Sequence, residues 1–124
     1  MFKLFSFVFI GGGLGSVARL GIARLLAQFV TTALPLATLG VNILGSLLVG
    51  LLWSLPAISE KASWTHFLIV GFCGGFTTFS AFSWENFSLL KQGNVFLFFA
   101  YAFLSIALCL LATWGGYVIG KSLT

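Results

Sequence analysis

Charge is what this chain has least of: six Lys and Arg, two acids and one His in 124 residues. The acids, Glu60 and Glu85, fall in different parts of the sequence, so no close carboxylate pair offers acid–base work, and the many serines have no base partner. His66 has no Cys, Asp or second His near it, which excludes a His-rich metal motif and leaves an interfacial residue. Cys73 and Cys109 have neither the spacing of a zinc site nor that of a disulfide framework, and read as small packing residues. A phosphate-cradling Gly-x-x-x-x-Gly-Lys loop is missing, and so is any basic cluster that would grip nucleic acid. Enzyme readings fail by these absences.

What is present is apolar. Hydrophobic residues make up 60% of the chain and the mean hydropathy is +1.14, more than a soluble domain of this size can hide. Four segments have the length of a spanning helix, roughly 20 residues each: Leu4 to Phe29, Leu36 to Leu55, Phe67 to Leu90 and Val95 to Ile119. Turn chemistry separates them at Thr31-Thr32 with Pro35, at Pro56 to Ser63, and at Lys91-Gln92-Gly93-Asn94. The expectation is an all-α membrane protein with one domain over residues 1–124 and both termini on one side. Lys3 ahead of an apolar run imitates a signal peptide, but the run continues as a glycine-spaced helix through Arg19. Lys3, Lys61 and Lys121 face Arg24 and Lys91 across the membrane. That is almost no orientation bias, so a chain inserting both ways and pairing with its inverted copy stands beside a single orientation.

The third segment carries the oddest stretch, Gly71-Phe72-Cys73-Gly74-Gly75-Phe76-Thr77-Thr78-Phe79-Ser80-Ala81-Phe82. Adjacent glycines weaken a helix, and a carbonyl freed inside a membrane needs a partner in protein, water or an ion. An interrupted helix beside a pathway or an ion is the reading. Phe79 and Phe82, three apart, share a face with Ser83 and Asn86. Their rings either pack the core or turn positive edges toward an anion. Glu85 on the neighbouring face carries protons, pairs with a positive group or sits near the water interface.

The other segments add polar groups at helical spacing. Thr38, Asn42, Gly45, Ser46 and Val49 gather on one face of the second. Asn42 offers two N–H donors, for a dehydrating anion or for a bond between helices. Tyr101, Ser105 and Cys109, four apart, form a hydroxyl stripe on the fourth. In the first, Gly11 with Gly15 and Gly12 with Ser16 form a close-packing face. Arg19 lines a vestibule that attracts anions, or snorkels and fixes a dimer contact. Donors outnumber carboxylates, so a permeating species is more plausibly an anion.

Three stretches carry a resemblance over essentially the whole chain: Gly11 to Arg19 (GGGLGSVAR), Thr38 to Gly45 (TLGVNILG) and Gly71 to Phe82. The chain resembles the Fluc (CrcB-like) fluoride channel family, and the third stretch is highly specific. The resemblance implies a passive fluoride channel of a bacterial cytoplasmic membrane, built as a dual-topology antiparallel homodimer with two pores. It implies a third helix broken near Gly74 to Thr78, with Asn42, Phe79 and Phe82 contacting the ion. It further implies Thr38, Ser80, Tyr101 and Ser105 along a polar track, Arg19 at the vestibule, and a central Na+ held by the carbonyls of Gly74 and Thr77. Two carbonyls from each of two subunits make a four-oxygen cage that suits a hard cation. Cys109 departs from the hydroxyl expected next on the track, which puts its length in question. Small multidrug exporters also use four short helices in inverted dimers, but typically place a working Glu in the first helix, where this chain has no acid. A structural subunit of a larger membrane complex is a third reading.

Overall fold

Each apolar run folds as a helix, and the turn residues end it where the sequence indicates. The computed structural model describes residues 1–124. Helix α1 spans Phe2–Phe29 and α2 spans Leu36–Ser54. A single turn, α3 (Pro56–Ser59), follows with Pro56 at its first position, where proline's missing N–H costs nothing. The third crossing is composite: one turn of α4 (Ala62–Trp64), a π-helical stretch over Thr65–Cys73, one turn of α5 (Gly74–Phe76), then α6 (Phe79–Lys91). Gly93 takes φ 77, a left-handed conformation that favours glycine, and turns the chain into α7 (Val95–Ser122).

Four spans are long and apolar enough to cross a membrane: Phe2–Phe29, Leu36–Ser54, Ala62–Lys91 and Val95–Ser122. At 1.5 Å per residue the two 28-residue helices are roughly 42 Å long, beyond a hydrocarbon core of about 30 Å. Their ends therefore reach the headgroup layer or the helices tilt. Only 17 of the 124 residues are buried, while Phe9, Phe96 and Phe103 are exposed. This is the surface of a chain whose solvent is lipid. Four crossings bring both termini to the end that also carries Lys61.

Two helix pairs hold the bundle together, and both are glycine contacts. In the first, α1 lies against the π-helical stretch. A Cβ at Gly11 would meet the Phe67 carbonyl, one at Gly15 the Phe72 carbonyl, and one at Gly75 the Gly12 carbonyl. The four-residue glycine spacing of α1 is thus the close-packing face that it predicts. In the second, α2 and α7 make the most extensive contact of the fold. A Cβ at Gly50 would strike the Thr113 carbonyl, and one at Gly116 the Leu47 carbonyl.

The third span is interrupted inside the expected stretch, although not by its glycines. Gly74 stays helical at φ −63 and ψ −38. The extended residues are Thr77, at φ −82 and ψ 158, and Thr78, at φ −150 and ψ 112. Gly71 and Gly75 instead let this span approach α1. The helix yields at the threonines because Thr78 finds its partners on α2, as described below. The π-helical winding ahead of the break has no sequence signal that sets it apart from an α-helix.

Backbone-to-backbone packing makes a sharp prediction. Gly116→Val places a branched side chain against the Leu47 carbonyl and destabilises the α2–α7 pair by about 1–3 kcal/mol, the usual range for overpacking. Gly115→Ala, whose Cβ meets nothing within 4 Å, leaves stability near wild type. Thermal unfolding in detergent, followed by size-exclusion recovery, measures both; equal recovery of the two variants contradicts the contact.

Candidate functional site

Breaking a helix in a membrane leaves backbone groups that must be satisfied. At the break, Asn42 on α2 supplies both halves of the answer. Its Oδ1 accepts from the Thr78 N–H at 2.8 Å, and its Nδ2 donates to the Thr78 carbonyl at 3.1 Å. The primary amide thereby mimics a strand neighbour for one extended residue. An amide nitrogen carries two N–H donors, so one remains after this bond. Thr78 also caps α6, its Oγ1 accepting from the Ala81 N–H at 3.2 Å. Thr77 bonds back to the Cys73 carbonyl through both its N–H and its Oγ1, each at 2.9 Å. Its methyl group fills the space that a side chain at Gly45 would need.

The break divides the backbone charges by sign. With the Thr77 and Thr78 N–H groups donating to Cys73 and Asn42, the Gly74 carbonyl lacks its helical partner, and no backbone hydrogen bond ends on the Thr77 carbonyl. Both carbonyls precede α6 in the chain. The N-terminus of α6, the positive end of its dipole, follows them.

Beside it lies an open groove of about 330 Å³ between α2, the break and α7. Asn42, Ser46 and Val49 line it from α2, Thr77 to Phe79 and Phe82 from the third span, and Ser105, Ile106, Cys109 and Thr113 from α7. The Phe79 and Phe82 rings stand 5.4 Å apart at a 43° tilt. Phe79 is 78% exposed, whereas Phe82 packs on the small core of Leu39, Leu89 and Tyr101. The two rings therefore divide the alternatives: one is core on one edge, the other is free. Ser105 is buried, yet its hydroxyl has no hydrogen-bond partner.

Of the residues expected at a pore, Asn42, Phe79, Phe82 and Ser105 share this groove, and Thr77 borders it. Thr38 and Tyr101 do not line it. Both donate to Glu85, Thr38 to Oε1 at 2.6 Å and Tyr101 to Oε2 at 2.8 Å. Glu85, half-buried and without a cationic partner, ties α2 and α7 to α6. This cluster adjoins the groove through Phe82, whose ring centroid is 5.3 Å from that of Tyr101. Ser80 is exposed, with Oγ 3.3 Å from the Thr78 hydroxyl. Arg19 is half-buried on α1 and Gly74 is exposed, both away from the groove.

Sequence reasoning gave no role to four groove residues, Ser46, Val49, Ile106 and Thr113, and missed one anchor. Ser46 and Val49 were on the correct face of α2 without a role. Thr113 continues the Tyr101–Ser105–Cys109 ladder by one more turn, and extending that spacing would have found it. The ladder does not stop at Cys109. Glu85 as a two-hydroxyl acceptor needed the helix arrangement.

Residues 6–117 match the family model described as CrcB-like protein, Camphor Resistance (CrcB). The chain belongs to the CrcB family. Curated members similar to this CrcB chain carry the name fluoride-specific ion channel FluC. That of Flavobacterium psychrophilum is 43% identical over 123 residues, covering 98% of this chain and 99% of the relative. A Coxiella burnetii relative is 42% identical over 121 residues, 94% of this chain and 96% of its own. One from Gloeothece citriformis is 42% identical over 118 residues, 92% of this chain and 94% of its own. Together with four spanning helices, CrcB membership makes this a multi-pass bacterial membrane protein rather than an enzyme.

Removing the amide tests its structural half. Asn42→Ala leaves the Thr78 N–H and carbonyl without partners and lowers stability by about 1–3 kcal/mol, the desolvation penalty of an unsatisfied buried group. A thermal unfolding midpoint equal to wild type in detergent contradicts the assigned bonds.

Proposed function

We propose that this chain is a passive fluoride-selective channel through which fluoride leaves the cytoplasm. The groove carries the reading: an amide donor, five hydroxyl-bearing residues and two phenyl rings line it beside a helix N-terminus with no carboxylate among them. Moving a bare halide into hydrocarbon costs tens of kcal/mol by the Born argument. The free N–H of Asn42, the hydroxyl of Ser46 and the positive ring edges of Phe79 and Phe82 replace its water. Selectivity against chloride then comes from a path too narrow for the larger ion. The relatives named as fluoride-specific channels support the substrate.

A second copy completes the path. The exposed Phe79 ring and the exposed Gly74 suit an antiparallel homodimer, in which an inverted partner covers the open groove and doubles it into two pores. Carbonyls of Gly74 and Thr77 that lack backbone partners fit a Na+ at the two-fold axis, where four oxygens would supply hard-cation ligands and hold the subunits together. The multidrug-exporter alternative needs an acid in α1 and has none.

Fluoride efflux from proteoliposomes, read with an ion-specific electrode, is expected well above empty vesicles and without matching chloride efflux; efflux at the empty-vesicle level or equal chloride efflux refutes the channel. Phe79→Ile and Phe82→Ile each depress that flux about tenfold or more while the dimer persists, since an aliphatic chain has no ring quadrupole. Wild-type flux in both would remove the rings from the path. For the assembly, single-cysteine variants in a Cys73→Ser, Cys109→Ser background crosslink as inverted pairs, and exchanging sodium for a large organic cation weakens the dimer. Only parallel crosslinks, or a dimer indifferent to sodium over long exchange, contradict the arrangement.

A further inference from the structure

A second groove, of about 360 Å³, lies between α1 and the start of the third span and shares no residue with the groove at the helix break. Phe7 and Ile10 form one wall, and Ser63, Trp64 and Phe67 the other. Its place follows from register. The two spans run parallel, since a Cβ at Gly11 would meet the Phe67 carbonyl and one at Gly15 the Phe72 carbonyl. Ahead of the α1 glycines, Phe7 and Ile10 hold the backbones apart, and the groove opens toward the amino-terminal ends of both spans.

Those ends carry cations. Lys3 precedes Phe7 by one turn, with its Nζ 6.0 Å from the centre of that ring, and Lys61 stands just ahead of Ser63 and Trp64. Both lysines are exposed, and this end of the chain sets Lys3, Lys61 and Lys121 against one acid, Glu60. At 1.5 Å per residue, the 28-residue α1 exceeds a hydrocarbon core of about 30 Å by roughly 12 Å. Shared between its two ends, that excess sets about the first four residues, Lys3 included, at headgroup depth. Trp64, 49% exposed on the groove wall, has the amphipathic ring that gathers at this boundary. Apolar walls below and lysines above match the two parts of one kind of molecule.

We propose that this groove seats a phospholipid of the surrounding bilayer with an anionic headgroup. An acyl chain lies between Phe7, Ile10, Trp64 and Phe67, while Lys3 and Lys61 hold the headgroup. The Ser63 hydroxyl makes no hydrogen bond within the chain, unlike those of Ser59 and Thr65, and donates to the lipid phosphate. The seat is independent of the ion that the protein conducts.

The test reconstitutes the protein in phosphatidylcholine liposomes containing an equal small fraction of brominated phosphatidylglycerol or brominated phosphatidylcholine, and reads tryptophan fluorescence. Bromine quenches only an indole that it touches. A lysine near an anionic lipid contributes about fivefold in affinity, so two are expected to raise phosphatidylglycerol at Trp64 about tenfold or more above its mixed fraction. Brominated phosphatidylglycerol therefore quenches more than brominated phosphatidylcholine. The excess disappears in Trp64→Phe and in the double variant Lys3→Gln, Lys61→Gln, and persists in Lys121→Gln, whose lysine lies over Tyr117 at the same end but off the groove. Equal quenching by the two lipids leaves ordinary solvation by the bilayer and overturns the proposal. So does an excess that survives the double lysine variant, or one lost equally in Lys121→Gln. Quenching by both lipids that Trp64→Phe leaves unchanged means that a second copy covers the groove, which overturns it as well.

Discussion

The bond pair between the Asn42 side chain and the Thr78 peptide is the constraint on which the rest depends. A span of thirty residues, Ala62–Lys91, would otherwise run as one helix with its backbone groups satisfied internally. Two extended residues at its centre free an N–H and a carbonyl, and only a group presenting both an acceptor and a donor can answer them. Asn42 does so from α2. Helix α6 then starts afresh at mid-span, capped by Thr78, with its positive end at the groove. The carbonyls of Gly74 and Thr77 before it have no backbone partner. One amide thus permits the chain to break a spanning helix and start another at mid-span.

Around this point the fold is a set of close approaches. The α1 glycines bring that helix onto the π-helical stretch, and Gly50 and Gly116 bring α2 onto α7. Lipid offers no hydrophobic drive for helix association, so van der Waals contact between backbones is a main source of it. The two pairs are bridged by polar ties: Asn42 to the break, and Glu85 to Thr38 and Tyr101. These ties fix the depth of α6, and with it the position of Phe79 and Phe82 beside the groove.

Much of this was legible in the residues. The four spans follow from hydropathy and turn chemistry, because a membrane helix needs a long apolar run and little else can take its place. The interruption was legible as a place, since Gly74, Gly75, Thr77 and Thr78 cluster within an apolar run. Its mechanism was not: glycine reads as the weak link, yet the threonines extend, because the compensating amide lies on another helix. On spacing alone, Asn42 remained divided between joining helices and meeting an ion; the structure shows the first, with one N–H donated to the Thr78 carbonyl. Thr38 and Tyr101 belong to a track in sequence but to Glu85 in space. Thr113 was passed over at a departure, Cys109, although the four-residue ladder continues through it.

The double use of Asn42 is tested most directly by Asn42→Asp. The carboxylate keeps an oxygen to accept from the Thr78 N–H, loses the N–H donors, and sets a negative charge where an anion must pass. The account predicts that Asn42→Asp, less stable than wild type because the Thr78 carbonyl loses its donor, gives fluoride efflux per assembled dimer at the level of empty vesicles. Wild-type efflux from a correctly assembled Asn42→Asp dimer would contradict it, leaving Asn42 only as the clasp of the broken helix.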